Sequence, residues 1–501
     1  MTTNFESLLA GEANGWHDGS DTLTYFFFQD PLPDYLEIVD TDGDDIPDTT
    51  DVSGYNDLIP FGSDPAMTAA EQALALEAIA AWNAVANINL VAADPGTTGD
   101  LGLGSHAFVR PNGKPDQSFG FVSEFPDGGV LGIPSFHGDL WINSNNNLQD
   151  VSLVAHTSWA TYLHELGHAL GLSHPDEDPY NDDGTATNSN QYTVMSYVEH
   201  PGVADEKFAD QAWPLTPMLY DIQAIQSLYG ANTEHLNGDT VYFGSTGIGT
   251  ETAFATDDMI VNDMPMILTI WDGGGVDTID ASIVDSNSEI SLRNGAFSSI
   301  GSLVENVAIA YAVQEDGEIV NLIENAIGGG GDDTITGNQG RNHLSGGAGD
   351  DLLKGRDGAD QLLGGAGTDT LFGHRGRDVL RGNQNADILK GGRGEDRLIG
   401  GNGADELNGQ RGDDRITGGS GADQFIFSKG SGRDVITDFD TGADMLHLDA
   451  ALLGAEDTAA QVLNQYATLH DRGVTLNFGE DRIVLLNVTD ISTLETQLLI
   501  A

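Results

Sequence analysis

The chain has no cysteine. Disulfide scaffolds, thiolate metal sites, cysteine nucleophiles and a cysteine-gated latent form are therefore excluded. Positive charge is scarce too: 19 Lys and Arg stand against 79 Asp and Glu, a formal charge of -60 over 501 residues. Such a surface repels phosphate backbones, so no nucleic-acid partner is expected, and it attracts cations. Long apolar runs are missing. The longest, near Val307–Val313, falls far short of the roughly 18 residues of a membrane-spanning helix, so no span is expected. Met1–Ser20 has neither a basic start nor an apolar stretch, and a cleaved N-terminal secretory signal is not expected there. Glycine is the excess, with 65 residues and no Gly-X-Y period, which sets collagen aside. The length leaves room for about three domains.

Residues 21–235 read as an α+β domain. Leu23–Phe28 (LTYFFF) has the composition of an opening strand. Thr68–Ala86 predicts a helix, with Thr68 and Glu71 as a capping box and an Ala/Leu-rich face ending at Trp82. Short strands are expected at Asn87–Ala92 and Leu101–Gly104, and His137–Asn143 alternates as a half-buried strand does. Two further helices are expected. One covers Ser158–Leu170, with Ser158 as cap and Gly171 as stop; the other covers Pro217–Leu228 and halts at Tyr229-Gly230.

From about His235 the texture turns to Gly, Asp, Asn, Thr and Ser, with short apolar triplets. Residues 236–327 lead into a second, all-β part, and 328–426 are strictly periodic. Eleven nonapeptides of the form G-[G/N/x]-x-G-x-D-x-U-x fill these 99 residues without a slip and hold 28 of the 65 glycines. The sixth position carries Asp333, Asn342, Asp351, Asp360, Asp369, Asp378, Asp387, Asp396, Asp405, Asp414 and Asp423. The eighth carries Ile335, Leu344, Leu353, Leu362, Leu371, Leu380, Leu389, Leu398, Leu407, Ile416 and Phe425. This is the known calcium-binding β-helix nonapeptide, a pattern match rather than a deduction.

The pattern has a physical sense. A strand x-U-x turns one apolar side chain inward, and stacked coils join these into a hydrophobic ladder. The six-residue turns need positive φ and close backbone approach, which glycine allows. Asp at the sixth position meets like charges on adjacent coils, and a hard cation held by carboxylates and turn carbonyls relieves the repulsion. Folding is thus expected to couple to Ca²⁺. Residues 427–501 read as a cap, with strands in Phe425–Leu448 and Gly473–Val488 and a weakly amphipathic tail.

The sharpest local feature is His164-Glu165-Leu166-Gly167-His168-Ala169-Leu170-Gly171-Leu172-Ser173-His174. His164 and His168 are one helical turn apart, so both imidazoles leave one face. Gly171 lets the chain turn back, bringing His174 as a third nitrogen ligand and leaving a tetrahedral Zn²⁺ position open for water. Glu165 can reach that water as general base.

Val194-Met195-Ser196-Tyr197 follows at the distance a methionine turn needs. On these segments the chain resembles the serralysin-type metalloproteases, the metzincin branch (peptidase family M10B) with C-terminal RTX repeats. The likeness extends to Leu8-Leu9, Trp16, Leu23-Thr24-Tyr25, Glu71–Val91, Asp221–Asn232 (DIQAIQSLYGAN), Gly238–Tyr242 (GDTVY), Trp271–Asp280 (WDGGGVDTID) and Ile323–Gly329 (IENAIGG). It implies a metzincin domain followed by a parallel β-roll, with residues 1–20 as a candidate short pro-segment. It implies zinc on His164, His168 and His174, with Tyr197 as a further ligand that swings away to hydrogen-bond the oxyanion. Glu165 would carry the proton to the leaving amine, and Met195 would floor the metal. Calcium would bind Gly238, Thr240, Asp272, Gly274, Gly275, Asp277 and Glu324, besides the Asp ladder.

The resemblance also implies a secreted, extracellular endopeptidase of protein or peptide substrates, expected to be a monomer. Export would be by type I secretion machinery reading a C-terminal signal in 427–501, and a proteinaceous inhibitor would be a further partner. A different class of reading is a calcium-dependent RTX adhesin with a decayed protease domain; the intact Glu165 and histidine triad speak against it. Resting cytosolic calcium is too low for weak sites of this kind, which disfavours a cytosolic peptidase.

Three departures stand out. Asn342 replaces Asp in the second repeat, and Asn385 replaces a turn glycine in the seventh, so the neighbouring sites are expected to be weak or empty. Arg356, His374 and Gln410 occupy turn positions where glycine is usual, which is tolerable if only the carbonyl is used. Asp40, Asp42, Asp44, Asp48 and Asp51 sit at offsets 1, 3, 5, 9 and 12 of an EF-type loop, but Gly43 is out of place and no flanking helices are evident. An extra calcium loop and a solvated acidic turn are equal readings of this segment.

Overall fold

The computed structural model describes residues 23–27, 67, 69–94, 101–106, 120–122, 140–143, 155–172, 174–175, 188–196, 198, 200, 214–244, 260–261, 264–265, 267–301, 304–315, 318–453 and 458–500. Contacts divide the chain into two compact units, Met1–His235 with Met266–Trp271, and Leu236–Pro265 with Asp272–Ala501.

In the first unit a five-stranded sheet runs β2 (Leu90–Ala92), β1 (Leu23–Phe27), β3 (Leu101–His106), β5 (Leu140–Asn143), β4 (Gly120–Val122). All neighbours are parallel except the edge strand β4, which runs antiparallel to β5. Helix α1 (Ala69–Val85) is built almost wholly of strong helix formers. It buries Ala75, Ala78, Ile79, Trp82 and Val85, an i, i+3, i+4 stripe that carries on past Trp82 by another turn. The Trp82 indole N–H donates to the Leu163 carbonyl (3.1 Å) of helix α2 (Ala155–Ala169), which locks the two helices together. Helix α2 starts three residues before Ser158, so that residue lies within the helix and is not its cap. Helix α3 (Leu219–Tyr229) starts two residues after Pro217, because Asp221 accepts the Met218 N–H (2.8 Å) and makes Met218 the cap. Gly230, at φ +80°, closes it. Thr68, the expected cap of α1, lies outside the described residues.

The second unit is a parallel solenoid of two sheets, with alternate repeats feeding alternate sheets. Each residue pairs with the one eighteen later: Leu344 with Leu362, then Leu380, Leu398 and Ile416 on one side; Leu353 with Leu371, Leu389, Leu407 and Phe425 on the other. All eleven eighth-position side chains are fully buried.

The strands are longer than x-U-x. From His343–Ala348 to Arg415–Ser420 they run six or seven residues, because the inter-coil ladder continues through the first half of each turn, as in Gly347↔Gly365. The stack also outruns the periodic segment. Tyr242, Ile279 and Ala326 precede Leu344 in one ladder; Ile436 and Leu485 follow Ile416. Leu446 and Leu498 follow Phe425 in the other. Phe425–Leu448 therefore adds further rungs instead of closing the end. One sheet finishes in an antiparallel meander, Ala467–His470, Gly473–Asn477 and Arg482–Leu486. The tail strand Leu498–Ile500 finishes the other.

Candidate metal centres

Helix α2 carries His164 and His168 on one face, and Gly171 (φ +101°) ends it. The Gly171 N–H donates to His168 O and the Leu172 N–H to Gly167 O, both at 2.9 Å, and this tight exit returns the chain to His174. The three Nε2 atoms form a nearly equilateral triangle with sides of 3.0–3.1 Å. Two of the remaining ring nitrogens are tied to backbone: His164 Nδ1 to Val194 O (2.8 Å) and His168 Nδ1 to Leu172 O (2.7 Å). A carbonyl only accepts, so each Nδ1 holds the proton and each of these Nε2 atoms presents a lone pair to the others. Converging lone pairs at this spacing need a cation between them, and three neutral imidazoles suit Zn²⁺.

Burial keeps the rings neutral. It pushes His164 down to about 3, with His168 adding to the fall, and His168 down to about 4; His174 is lowered as well. The same burial raises the Glu165 carboxyl to about 7.

Beneath α2, Met195 is fully buried against Gly167. A methyl on Gly167 would stand 2.7 Å from Met195 Sδ and 3.2 Å from Trp82 Cζ2, so this position of the helix has room only for hydrogen. The methionine segment hangs on Asp221 at the start of α3. Its Oδ1 accepts from Thr193 Oγ1 (2.5 Å), and its Oδ2 accepts from the N–H groups of Val194 (2.7 Å) and Met218 (2.8 Å). Asp221 is thus the strut between α3 and the carbonyl that orients His164. Along the chain it is only one residue of the DIQAIQSLYGAN segment; its role depends on a contact across 28 residues. Tyr197 and the Asp40, Asp42, Asp44, Asp48, Asp51 segment lie outside the described residues.

The second unit holds a different kind of site. Along each sheet the Oδ1 of a sixth-position Asp accepts the N–H of the residue eighteen earlier: Asp333 to Asp351, Asp351 to Asp369, Asp360 to Asp378, and onward, at 2.8–3.0 Å. The Oδ2 atoms of Asp351, Asp360, Asp369, Asp378, Asp387, Asp396, Asp405, Asp414 and Asp423 are buried and have no hydrogen-bond partner. A repeated, orphaned carboxylate oxygen beside turn carbonyls fits a hard oxygen-seeking cation, and Ca²⁺ in particular. Burial raises these carboxyls, to about 7 at Asp351, Asp360, Asp387 and Asp396 and about 6 at Asp369, Asp378, Asp414 and Asp423. Repulsion from the next coil adds to this at Asp351 and Asp396, but it ranks behind burial.

The lead-in residues join the same column. Thr240 N–H donates to Asp277 Oδ1 (2.8 Å), and Asp277 N–H to Glu324 Oε2 (2.9 Å), so Thr240, Asp277 and Glu324 hold sixth-position places. Asp277 Oδ2 is orphaned too. Asp272 accepts from the Tyr242 hydroxyl (2.6 Å) and the Gly274 N–H (2.8 Å). Gly275 (φ +149°) approaches the Gly238 carbonyl too closely for any Cβ.

At Asn342 an amide stands where the others have an open oxygen. Its Oδ1 accepts from Asn338 N–H (2.9 Å), while Nδ2 donates to Glu324 O (3.0 Å) and Asn338 Oδ1 (3.2 Å). Asp434 and Asp444 prolong the two columns beyond the repeats, accepting from Asp414 and Asp423 N–H (both 3.0 Å). They went unread because the spacing slips to 20 and 21 residues. Their local signal, Gly432-Arg433-Asp434-Val435-Ile436 and Gly442-Ala443-Asp444-Met445-Leu446, is still G-x-D-x-U.

The family model described as the peptidase M10 serralysin C terminal matches residues 231–493, just over half of the chain. The chain belongs to the serralysin family. Serralysin G of Dickeya chrysanthemi is 35% identical over 280 residues, 53% of either chain. The metallopeptidase AprA of Pseudomonas marginalis is 32% identical over 285 residues, 55% of either chain, and the serralysin of Proteus mirabilis 41% over 191 residues, 37% of this chain and 36% of its own. The chain spans about half the length of the first two of these relatives and about a third of the last.

Proposed function

We propose that this serralysin-family chain is a secreted zinc-dependent endopeptidase whose β-roll is stabilised by calcium. The carrying observation is the histidine triangle, three Nε2 atoms 3.0–3.1 Å apart with two of the Nδ1 protons fixed by backbone carbonyls. His164, His168 and His174 would hold zinc, with Tyr197 as a fourth protein ligand at rest. Zinc, when bound, polarises the scissile carbonyl and lowers the pKa of water to about 7.

The rest is the work of the chain's own side chains. Glu165, next to His164 and raised by burial toward neutrality, takes the proton of the attacking water and passes it to the leaving amine. Tyr197 donates to the substrate oxygen as negative charge gathers on it. Met195 and Trp82 pack behind Gly167 and hold the helix that bears both ligands. Protein or peptide substrates, export through type I secretion machinery and a proteinaceous inhibitor follow the family expectation. Calcium would bind the Asp columns and the Gly238, Thr240, Asp272, Gly274, Gly275, Asp277, Glu324 cluster, coupling folding to the calcium outside the cell.

A comparison of the wild-type chain with Glu165→Ala on casein tests the reading. Chelator-sensitive cleavage by the wild type, with a loss of at least about 100-fold in the variant, is expected. Equal activity in both, or none in either, refutes the peptidase.

A further inference from the structure

In a chain this poor in cations, thirteen of the nineteen Lys and Arg lie between Arg341 and Arg433. Five of them, Arg356, Arg375, Arg393, Arg411 and Lys429, line a groove of about 800 Å³ on the solenoid, with Asp357 as its one acidic residue. The array is built by register. Arg375, Arg393 and Arg411 are direct partners on successive parallel strands, about 4.8 Å apart. Like charges stacked in this way destabilise a sheet. Arg375 has a long ion pair with Asp357 (3.7 Å), and among the described residues no carboxylate lies within ion-pair reach of Arg393 or Arg411.

A second cost sits beside the first. Arg356, His374 and Gln410 hold left-handed backbone, φ +83°, +75° and +70°. The equivalent places on the opposite sheet are Gly347, Gly365, Asn383, Gly401 and Gly419. The next position there is small or neutral (Ala348, Ala366, Gln384, Asn402, Ser420) where the groove has Asp357 followed by Arg375, Arg393 and Arg411. Three strained non-glycine positions and three stacked arginines thus concentrate on this face, against Asn383 (φ +81°) at the equivalent places and the single pair Arg397–Arg415 on the other, and a concentrated cost that the fold does not require points to binding.

We propose that this groove binds a linear acidic polysaccharide through its uronate carboxylates. Guanidinium forks pair with planar carboxylates, and the Asn408, Gln410 and Ser428 side chains in the same groove suit sugar hydroxyls. The strands beneath are paired on both sides, so no free backbone ladder is available to an acidic peptide. A nucleic acid would bring a charge about every 1.7 Å against a net -60 chain and finds only His374 to stack on. A polymer with one carboxylate on every second ring meets the local cations with far less repulsion from the remainder.

The test is fluorescence anisotropy of a labelled hyaluronan octasaccharide titrated with the calcium-loaded full chain. Saturable, salt-sensitive binding is expected, with none to maltooctaose. The exposed triple variant R375Q/R393Q/R411Q should bind about tenfold more weakly or worse, with circular dichroism and calcium content unchanged. The pair R397Q/R415Q on the opposite sheet should bind like wild type. No binding, equal weakening by both variants, or equal affinity for polyglutamate or oligothymidylate would overturn the proposal.

Discussion

Replacing Asp378 in two ways separates what each carboxylate of the ladder does. Its Oδ1 accepts the Asp360 N–H (2.9 Å), and its Oδ2 is buried without a partner. Asp378→Ala removes both. Asp378→Asn keeps the acceptor and puts an NH₂ group in place of the open oxygen, as Asn342 already does within the same column. Each occupied calcium site adds about 1.4 kcal/mol of stability for every tenfold rise in free calcium above its Kd. Both variants should therefore flatten the plot of stability against log free calcium by at least one site. The Ala variant should in addition lie lower throughout by ~1–3 kcal/mol, since the buried Asp360 N–H is left unpaired. At about 2–4 °C per kcal/mol for a unit of this size, that offset is readable by calorimetry in calcium buffers. Unchanged slopes, or Asn and Ala curves that coincide, would refute the two-oxygen account.

Other consequences concern both units. At limiting calcium, ladder carboxyls raised from 3.8 to about 6–7 keep protons in the fold that the unfolded chain releases. That contribution is complete below about pH 4 and lost as pH rises through 6–7, so β-roll stability should fall from pH 5 to 8 in chelator; a rise would contradict it. Gly167→Ala should cost ~1–3 kcal/mol through its contacts with Met195 and Trp82 and lower caseinolysis, as thermal melts and rates on casein would register. Asp221→Asn leaves one oxygen for three donors and should destabilise by ~1–3 kcal/mol while weakening zinc retention in dialysis; unchanged retention would remove Asp221 from the support of His164.

The parts legible in the sequence are those written in a short period or a short span. A nine-residue repeat announces two ladders, and the eleven residues His164–His174 contain all three histidines of the triangle with the glycine that folds them together. The strand lengths were not legible, because pairing through Gly347 and Gly365 depends on the neighbouring coil and not on local alternation. The continuation through Asp434 and Asp444 was hidden once the spacing lengthened. The strut at Asp221 was hidden for a different reason: a buried Asp at a helix start looks like any cap until Thr193 and Val194 are seen resting on it. The enrichment of cations between Arg341 and Arg433 is visible along the chain, but the gathering of Arg375, Arg393 and Arg411 in one groove required register.

Metal analysis of the full chain with parallel caseinolysis decides whether this is a zinc peptidase stabilised by calcium. One zinc and several calciums per chain are expected, with EDTA at pH 8 removing both activity and β-structure, and with zinc and calcium together restoring them. Caseinolysis that survives complete removal of zinc, or a chain that binds calcium but no zinc at the histidine triangle, would contradict it.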